Sequence, residues 1–236
     1  MLLLENKIAL VTGASRGFGF AAARAFAAEG AHVVAVARTL GGLEELDDRI
    51  REDRESAGGA GEGATLVPLD IADDPGIQRM AQALHARFQR VDLWLHTAAF
   101  GPQLEPAAHI LEKDLEKAWG TNVKAFQRLI RMIDPLLRLA PRGVALVAAD
   151  NQSPEPFWGN YAATKAAQSA LTRAWAAEAR RDYTVAEVAP PPMPTALRSK
   201  FFPGEDRARL TTIDEAAARL LGALGRPIEP GARLAL

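Results

Sequence analysis

KIALVTGASRGFG, the stretch Lys7–Gly19, joins an apolar run to a turn that contains three glycines. The apolar run is typical of a strand buried on both faces, and the alanine-rich residues after the turn are typical of a helix. Glycine lets the backbone take positive φ angles and lets a phosphate group approach it closely. The first N–H groups of the helix favour the same negatively charged group. Because the glycines lie between the first strand and the first helix, the stretch predicts a site for the pyrophosphate of a dinucleotide.

Short apolar runs alternate with longer stretches of helical period along the rest of the chain. Strand, helix and strand repeated from end to end indicate right-handed crossovers and a mostly parallel sheet. We therefore expect an α/β fold, with residues 1–236 forming a single doubly wound, Rossmann-like domain of about seven strands and helices on both faces. The predicted strands are Lys7–Val11, His32–Ala37, Thr65–Leu69, Val91–Thr97, Val144–Ala149, Thr184–Ala189 and Ala232–Leu236. The predicted helices are Phe18–Glu29, Leu43–Glu52, Pro75–Phe88, Leu111–Leu139, Tyr161–Arg181 and Ile213–Leu224.

Composition narrows the classes of protein to consider. Hydrophobic residues make up 48% of the 236-residue chain and charged residues 24%, which are ordinary values for a folded protein. The formal net charge of −1 gives no global field that would recruit nucleic acid or anionic lipid. The chain has no cysteine, and His32, His85 and His109 show no metal-ligand spacing, so we expect neither disulfides nor a metal site. It shows no membrane-span pattern and no signal-peptide pattern, so we expect a cytoplasmic protein.

The type of dinucleotide follows from the end of the second predicted strand. That strand ends in Ala37 and Arg38, and the glycine turn contains Arg16. An NAD-preferring site usually has an acidic residue here that binds the ribose 2′-hydroxyl. Two arginines without a carboxylate suit a 2′-phosphate, which a guanidinium binds through parallel hydrogen bonds. We expect NADP(H); the alternative is that Arg38 only lies in solvent at a strand end.

The motif Thr-Gly-x-x-x-Gly-x-Gly at Thr12–Gly19, with Tyr161-x-x-x-Lys165 further along, resembles the short-chain dehydrogenase/reductase family in its single-domain form. The resemblance covers essentially the whole chain, and it implies an oxidoreductase that acts on a small-molecule carbonyl or alcohol. The catalytic residues that it implies are Tyr161, Lys165 and Asn122. The cofactor-binding residues that it implies are Gly13, Ser15, Arg16, Gly17, Phe18, Gly19, Arg38, Asp70, Ile71, Ala98, Tyr161 and Lys165.

The resemblance also assigns roles to single residues. It implies that Asp70 contacts the adenine amine and that Ile71 flanks the ring. The backbone of Ala98 would pack against the ribose, Lys165 would reach the nicotinamide ribose, and Asn122 would hold a water in the proton path.

The chemistry of Tyr161 and Lys165 supports this assignment independently. Residues four apart share a helix face, so Lys165 can lie beside Tyr161. A nearby ammonium favours the phenolate, so we expect a tyrosine pKa below the usual value of about 10. A phenol of that kind can act as a general acid or base when a carbonyl and an alcohol are interconverted.

The chain departs from the family pattern at three places. The catalytic serine, which usually lies thirteen residues before the tyrosine, is replaced by Ala148, so another group must polarise the carbonyl or the chemistry is slow or absent. Asp150, Asn151 and Ser153 are the nearby substitutes; Asn151 is preferred because its amide donates without a change of charge. The second departure is His96-Thr97-Ala98-Ala99 in place of Asn-Asn-Ala-Gly, and the third is Pro191 in place of a glycine. A short segment follows Pro191, and in it Phe201, Phe202 and Pro203 form either an apolar lid over the substrate or ordinary packing contacts.

The leading hypothesis is an NADP(H)-dependent carbonyl reductase or alcohol dehydrogenase in which Tyr161 transfers the proton. The second is a non-catalytic NADP(H)-binding sensor or assembly partner, which Ala148 favours and the Asn122, Tyr161 and Lys165 set opposes. A third is an isomerase or dehydratase that keeps its nucleotide bound. Small residues along Tyr161–Arg181 and the family resemblance imply a homodimer or homotetramer, although the alanines also agree with helix propensity alone.

Overall fold

The computed structural model describes residues 2–59, 62–150, 155–179 and 182–236, and within these ranges seven strands form one parallel sheet. Their order across the sheet is β3-β2-β1-β4-β5-β6-β7. The predicted fold class is therefore confirmed, and the strand ends differ from the predictions by at most two residues. The strands are β1 (Ile8–Thr12), β2 (His32–Ala37), β3 (Thr65–Pro68), β4 (Leu93–His96), β5 (Val144–Ala148), β6 (Thr184–Ala189) and β7 (Arg233–Ala235).

The helices that connect these strands lie where the apolar periodicity of the sequence predicts them, although the helix Leu40–Ser56 extends three residues before and four residues beyond the predicted Leu43–Glu52. Ile213–Leu224 has the predicted bounds, and the short helix Ala196–Phe201 was not predicted. The helices are α1 (Gly17–Ala28), α2 (Leu40–Ser56), α3 (Asp74–Phe88), α4 (Glu112–Trp119), α5 (Phe126–Arg138), α6 (Gly159–Ala179), α7 (Ala196–Phe201) and α8 (Ile213–Leu224).

The predicted helix over Leu111–Leu139 is helical from Glu112 to Arg138, but it is not α-helical throughout. The structure divides this segment into α4, a π-helical turn at Gly120–Ala125, and α5. A π-helical turn widens the helix locally and occurs frequently at functional sites. Here the backbone oxygen of Asn122, within the turn, accepts a hydrogen bond from Gln168 Nε2 of α6 at 3.1 Å. Hydrophobic periodicity averages over a single such turn, so the sequence pattern did not reveal it.

The position of β1 in the sheet determines where a ligand can bind. β1 pairs with β2 on one side and with β4 on the other, so the strand order reverses at this point: β2 and β3 lie on one side of β1, and β4 to β7 lie on the other. In doubly wound sheets, ligands bind outside the carboxyl ends of the strands at such a switch point. Thr12, the last residue of β1, lies opposite Val36 of β2 and His96 of β4. The glycine turn that follows Thr12 therefore opens into this crevice.

The apolar core lies in one layer on each face of the sheet. Phe26 of α1 and Leu46 of α2 are fully buried in one layer. Phe126 and Ile133 of α5 are fully buried in the other, around Trp94 of β4. Burial of side chains of this size stabilises the fold by roughly 1.5–3 kcal/mol each. No helix in the described ranges combines the length and the apolar character needed to cross a bilayer.

Candidate active site

The turn after β1 is packed so closely against the end of β4 that only glycine fits at two positions. Gly13 has a φ of 94°, and a Cβ on this residue would lie 2.7 Å from the backbone nitrogen of Ala98. A Cβ on Gly19 would lie 2.4 Å from the carbonyl oxygen of Gly13. Thr97 Oγ1 donates to the carbonyl oxygen of Thr12 at 3.0 Å and ties the two strand ends together. The backbone here is therefore held in the compact form that a bound phosphate needs.

The N-terminus of α1 faces this turn without a side-chain cap from the described residues. The cap residue, Arg16, has an extended backbone, and the helix starts at Gly17. The first N–H groups of a helix lack partners within the helix, and together with the helix dipole they attract an anion. Ser15 is half-buried and Phe18 is buried beside the same turn. A Cβ on Gly17 would lie 3.3 Å from the Thr195 methyl group, so the segment before α7 borders the phosphate turn as well.

Arg16 and Arg38 supply positive charge beside the phosphate turn. Both side chains are exposed, and neither guanidinium forms a hydrogen bond or ion pair with another described residue. α2 starts at Leu40 and has no acidic residue in its first turn. The residues present therefore fit a phosphate at the ribose 2′ position better than a free 2′-hydroxyl.

Three further predicted cofactor residues lie just after β3 and β4, at the carboxyl edge of the sheet. Asp70 is exposed, and its Oδ1 accepts a hydrogen bond from the backbone nitrogen of Ala72 at 3.0 Å. Ile71 is buried in the core layer around Trp94, and Ala98 is half-buried against the glycine turn. Their contacts with adenine and ribose stay predictions.

Asn122 is fully buried within the π-helical turn and clamps the loop after β4. Its Oδ1 accepts from the backbone nitrogen of Phe100 at 2.7 Å, and its Nδ2 donates to the Phe100 carbonyl at 2.9 Å. Nδ2 also donates to Thr164 Oγ1 of α6 at 3.0 Å. Asn122 thus joins three elements around the site, and its role of holding a water stays a prediction.

Tyr161 of α6 is buried beside the rings of Trp158 and Phe201 and is hydrogen-bonded to a carboxylate. Its hydroxyl donates to Asp150 Oδ2 at 2.9 Å, and the ring of Phe201 lies 4.9 Å from its own. Burial first, and then the Asp150 carboxylate, raise the pKa of Tyr161 well above its ordinary value. The expectation that Lys165 lowers this pKa is therefore wrong in this structure, because a buried phenol beside an anion keeps its proton.

Lys165 lies one helical turn after Tyr161 and is 8% exposed. Its Nζ donates to the carbonyl oxygen of Ala148 at 2.8 Å and to Gln168 Oε1. Burial lowers the pKa of Lys165 to about 8, although Asp150 acts in the opposite direction. The ammonium form is therefore only moderately favoured at neutral pH.

The titration of Tyr161 gives a direct test of its contact with Asp150. Asp150→Asn removes an anion that favours the neutral phenol, so we expect the pKa of Tyr161 to fall. The ultraviolet absorbance of tyrosinate measures this titration in a chain with only two tyrosines. Asp206→Asn, an exposed carboxylate on a short 3-10 turn, is the matched control. An unchanged titration curve in Asp150→Asn would contradict the assigned contact.

No hydroxyl stands at the position of the usual serine. Ala148 is the last residue of β5. Of the three residues suggested as substitutes for the serine, Asn151 and Ser153 lie outside the described residues. Asp150, the third, is the residue that binds Tyr161. An ionised carboxylate only accepts hydrogen bonds, so Asp150 cannot polarise a substrate carbonyl in that form.

The segment after β6 packs over Tyr161. Thr195 caps α7 by accepting a hydrogen bond from the backbone nitrogen of Arg198 at 3.2 Å. At the other end of α7, the ring of Phe201 lies 4.8 Å from that of Trp158, and Phe202 lies 5.6 Å from the same ring. The aromatic residues expected to form a lid or packing are thus in contact with the wall of the Tyr161 site.

His96 serves the packing of the sheet. Its Nδ1 lies 2.8 Å from Thr12 Oγ1, and its ring stacks on Phe126 at a centroid distance of 4.9 Å. Burial and the Lys165 charge lower the pKa of His96 to about 3, so the ring is neutral at physiological pH. Among the described residues, no group of three or more histidine, aspartate or glutamate side chains could hold a metal ion.

Sequence reasoning missed several polar residues of α6 and its neighbours. Thr164 and Gln168 each lie three residues after a predicted catalytic residue, so their helical spacing could have revealed them. Gln168 bridges Lys165 and the backbone oxygen of Asn122. The bond between Asp150 and Tyr161 joins a strand end to a helix, and no local spacing signals it.

Comparison with known proteins identifies relatives of the whole fold. The family described as short chain dehydrogenase matches residues 7–206. The chain is 31% identical to 3beta-hydroxysteroid dehydrogenase 1 of Eggerthella lenta over 217 residues, which cover 89% of this chain and 78% of that protein. It is 27% identical to short-chain dehydrogenase/reductase SDRA of Arabidopsis thaliana over 222 residues, which cover 94% and 84% of the two chains. A short chain dehydrogenase from Shigella flexneri, crystallised in complex with NADP, is 27% identical and superposes with a TM-score of 0.92 over 99% of this chain and 98% of that chain.

Proposed function

Because the chain belongs to the short-chain dehydrogenase family, we propose that it interconverts a carbonyl and an alcohol on a small molecule, with NADP(H) as its cofactor. The observation that carries the proposal is the buried Tyr161, which lies one helical turn before the buried Lys165 on α6 and donates its hydroxyl hydrogen to Asp150. This hydroxyl lies past the carboxyl end of β5, on the edge of the sheet where the glycine turn opens. A nucleotide in that turn and a substrate near Tyr161 would therefore share one crevice.

Reduction of a carbonyl suits the protonation of Tyr161 and Lys165 in this structure. When bound, the nicotinamide supplies or accepts the hydride. Tyr161 keeps its proton at neutral pH and is therefore ready to donate it to a carbonyl oxygen. Lys165, as an ammonium, stabilises the tyrosinate that remains after this donation. In the oxidative direction Asp150 can accept the phenol proton while Tyr161 Oη receives the proton of the alcohol.

The free arginines and the uncapped helix support NADP(H) over NAD(H). Arg16 and Arg38 have no partner among the described residues, and a 2′-phosphate would neutralise them. The NADP complex of the Shigella flexneri relative agrees with this assignment.

Replacing Arg38 should change the nucleotide preference. Arg38→Asp removes a charge-assisted hydrogen bond worth about 1.5–3 kcal/mol and adds a repulsive carboxylate, so we expect the ratio of NADPH to NADH affinity to fall roughly 10- to 100-fold. Calorimetry with each nucleotide measures the ratio. Arg142→Asp, an exposed arginine before β5, has the same charge change far from the crevice and should leave the ratio unchanged. An unchanged ratio in Arg38→Asp would remove Arg38 from the cofactor site.

The second candidate function is a non-catalytic NADP(H) sensor, and Ala148 is the observation that favours it. Without the serine hydroxyl, the carbonyl would be polarised mainly by Tyr161, and the loss of one donor typically costs on the order of a hundredfold in rate. A panel of ketones, aldehydes and quinones, followed by NADPH absorbance, separates the two functions. Turnover on any member supports the enzyme, and tight NADPH binding without turnover on the whole panel supports the sensor.

Self-association is the remaining part of the proposal. Leu111 and Leu115 at the start of α4 are exposed, and so is Leu139, just after α5 at the other end of the same helical segment. Burying them against a second copy would remove apolar surface from water. We propose a homodimer or homotetramer in the cytoplasm; sedimentation of the full chain as a monomer at micromolar concentration would contradict the assembly.

A further inference from the structure

Glu187 is a buried carboxylate that the proposed function leaves without a role. It lies in the middle of β6 and is 4% exposed. Burying an unpaired carboxylate is costly, so such a group requires partners of opposite charge or hydrogen-bond donors. Its partners therefore indicate what it does.

Two neighbours hold Glu187 from different elements. Ser169 Oγ of α6 donates a hydrogen bond to Glu187 Oε1. Arg233, which is the register partner of Glu187 on β7, has its Nη1 3.6 Å from Glu187 Oε2. Arg173 Nη1 donates to the same Ser169 hydroxyl at 3.3 Å. The carboxylate is thus fixed between α6 and the edge of the sheet.

A small cavity connects Glu187 to the catalytic lysine. It has room for about one water molecule and is lined by polar groups that can bind one. Lys165 uses two of its three N–H donors for Ala148 and Gln168, and it borders this cavity together with Asp150. The lining residues are Val147, Ala149, Asp150, Lys165, Gln168, Ser169 and Glu187.

Three charged side chains influence Lys165, and they come from the end of β5, from β6 and from β7. Burial lowers the pKa of Lys165, the Asp150 and Glu187 carboxylates raise it, and Arg233 lowers it. His96 of β4 also faces this charge, but its ring is neutral. Asp150 has a second partner in Tyr161, whereas Glu187 has no described contact with that catalytic hydroxyl.

We propose that Glu187 is a positioning residue that keeps Lys165 in its ammonium form at the bottom of the active site. The carboxylate acts across the water-sized cavity, and Arg233 limits its effect from the opposite side. The consequence for turnover rests on the proposed function, because it assumes that Tyr161 needs a cation nearby. The effect on the charge of Lys165 does not rest on it.

Nuclear magnetic resonance of lysine labelled with carbon-13 at Cε tests the proposal without any substrate. The full chain has six lysines, and the Lys165 signal is identified by its disappearance in Lys165→Arg. Glu187→Gln keeps the shape and the Ser169 bond but removes the anion, so the titration midpoint of Lys165 should fall by on the order of one unit. Arg233→Gln removes a cation, so the midpoint should rise. Shifts of opposite sign would not arise from a general loosening of the fold.

Ser169→Ala is the matched control, because it removes a hydrogen bond to Glu187 without changing any charge. Its midpoint should stay close to that of the wild type. An unchanged midpoint in a folded Glu187→Gln protein, or an equal shift in Ser169→Ala, overturns the proposal. If Glu187→Gln alone does not fold, the double variant Glu187→Gln/Arg233→Gln, which leaves no unpaired buried charge, decides: a midpoint below that of Arg233→Gln supports the proposal and an equal one overturns it.

An activity measurement adds the functional consequence. With any carbonyl substrate that the panel identifies, the alkaline limb of kcat/KM should move to lower pH in Glu187→Gln. If the panel identifies no substrate, the proposed function fails, while the midpoint shifts still report on Glu187.

Discussion

Replacing Tyr161 with phenylalanine is expected to reduce NADPH-dependent turnover by roughly 10²- to 10⁴-fold, which is the usual contribution of a general acid or base. The ring stays, so its contact with Phe201 and the burial of α6 are preserved. Only the hydroxyl and its bond to Asp150 are lost. Steady-state rates on the best substrate of the panel measure the effect, and NADPH affinity should stay within about twofold, because the phosphate contacts lie at the other end of the crevice.

The chain offers a matched control, because Tyr183 is its only other tyrosine. Tyr183 lies at the start of β6, where its hydroxyl bonds to Asp134 and Trp175 away from the site. Tyr183→Phe should lower the free energy of unfolding by about 1.5–3 kcal/mol, because it removes a hydrogen bond to the Asp134 carboxylate, and should leave kcat unchanged. Equal turnover by wild type and Tyr161→Phe would remove Tyr161 from the chemistry.

Gly13→Ala is expected to have the largest effect on nucleotide binding. The new Cβ would meet the backbone nitrogen of Ala98 at 2.7 Å, and alanine is strained at a φ of 94°. The turn must shift to relieve both, which moves the N–H groups that would bind phosphate. Loss of two such bonds, worth about 1.5–3 kcal/mol each, weakens NADPH binding by on the order of a hundredfold or more. The free energy of unfolding should fall by about 2 kcal/mol as well.

Gly41→Ala separates this effect from the general consequence of losing a glycine. A Cβ on Gly41 would meet no atom within 4 Å, and this residue lies in the first turn of α2. Alanine has a higher helix propensity than glycine, so stability should stay the same or rise by about 0.5–1 kcal/mol. Calorimetry and thermal unfolding measure both variants; NADPH binding by Gly13→Ala at wild-type affinity would contradict a phosphate site in this turn.

Local sequence patterns were sufficient to predict most of the secondary structure and the fold class. The buried strand, the glycine turn and the alanine-rich helix are contiguous, so the element order and the nucleotide crevice could be predicted from residues that are neighbours in the chain. The relation between Tyr161 and Lys165 is equally local, because a helix places residues four apart on one face. The strand order β3-β2-β1-β4 was not predicted, because the hand of a crossover does not determine which strand becomes the neighbour in the sheet.

The electrostatic state of the site was decided by contacts between distant parts of the chain. Asp150 meets Tyr161 because β5 ends beside α6, and it raises a pKa that the nearby lysine alone was expected to lower. Glu187 borders the Lys165 cavity because β6 pairs with β5, although 22 positions separate the two residues in the sequence. Burial and neighbouring charge set a pKa, and both depend on the packed structure. The sequence alone therefore determined which groups could act, while the tertiary structure decided which of them hold a charge.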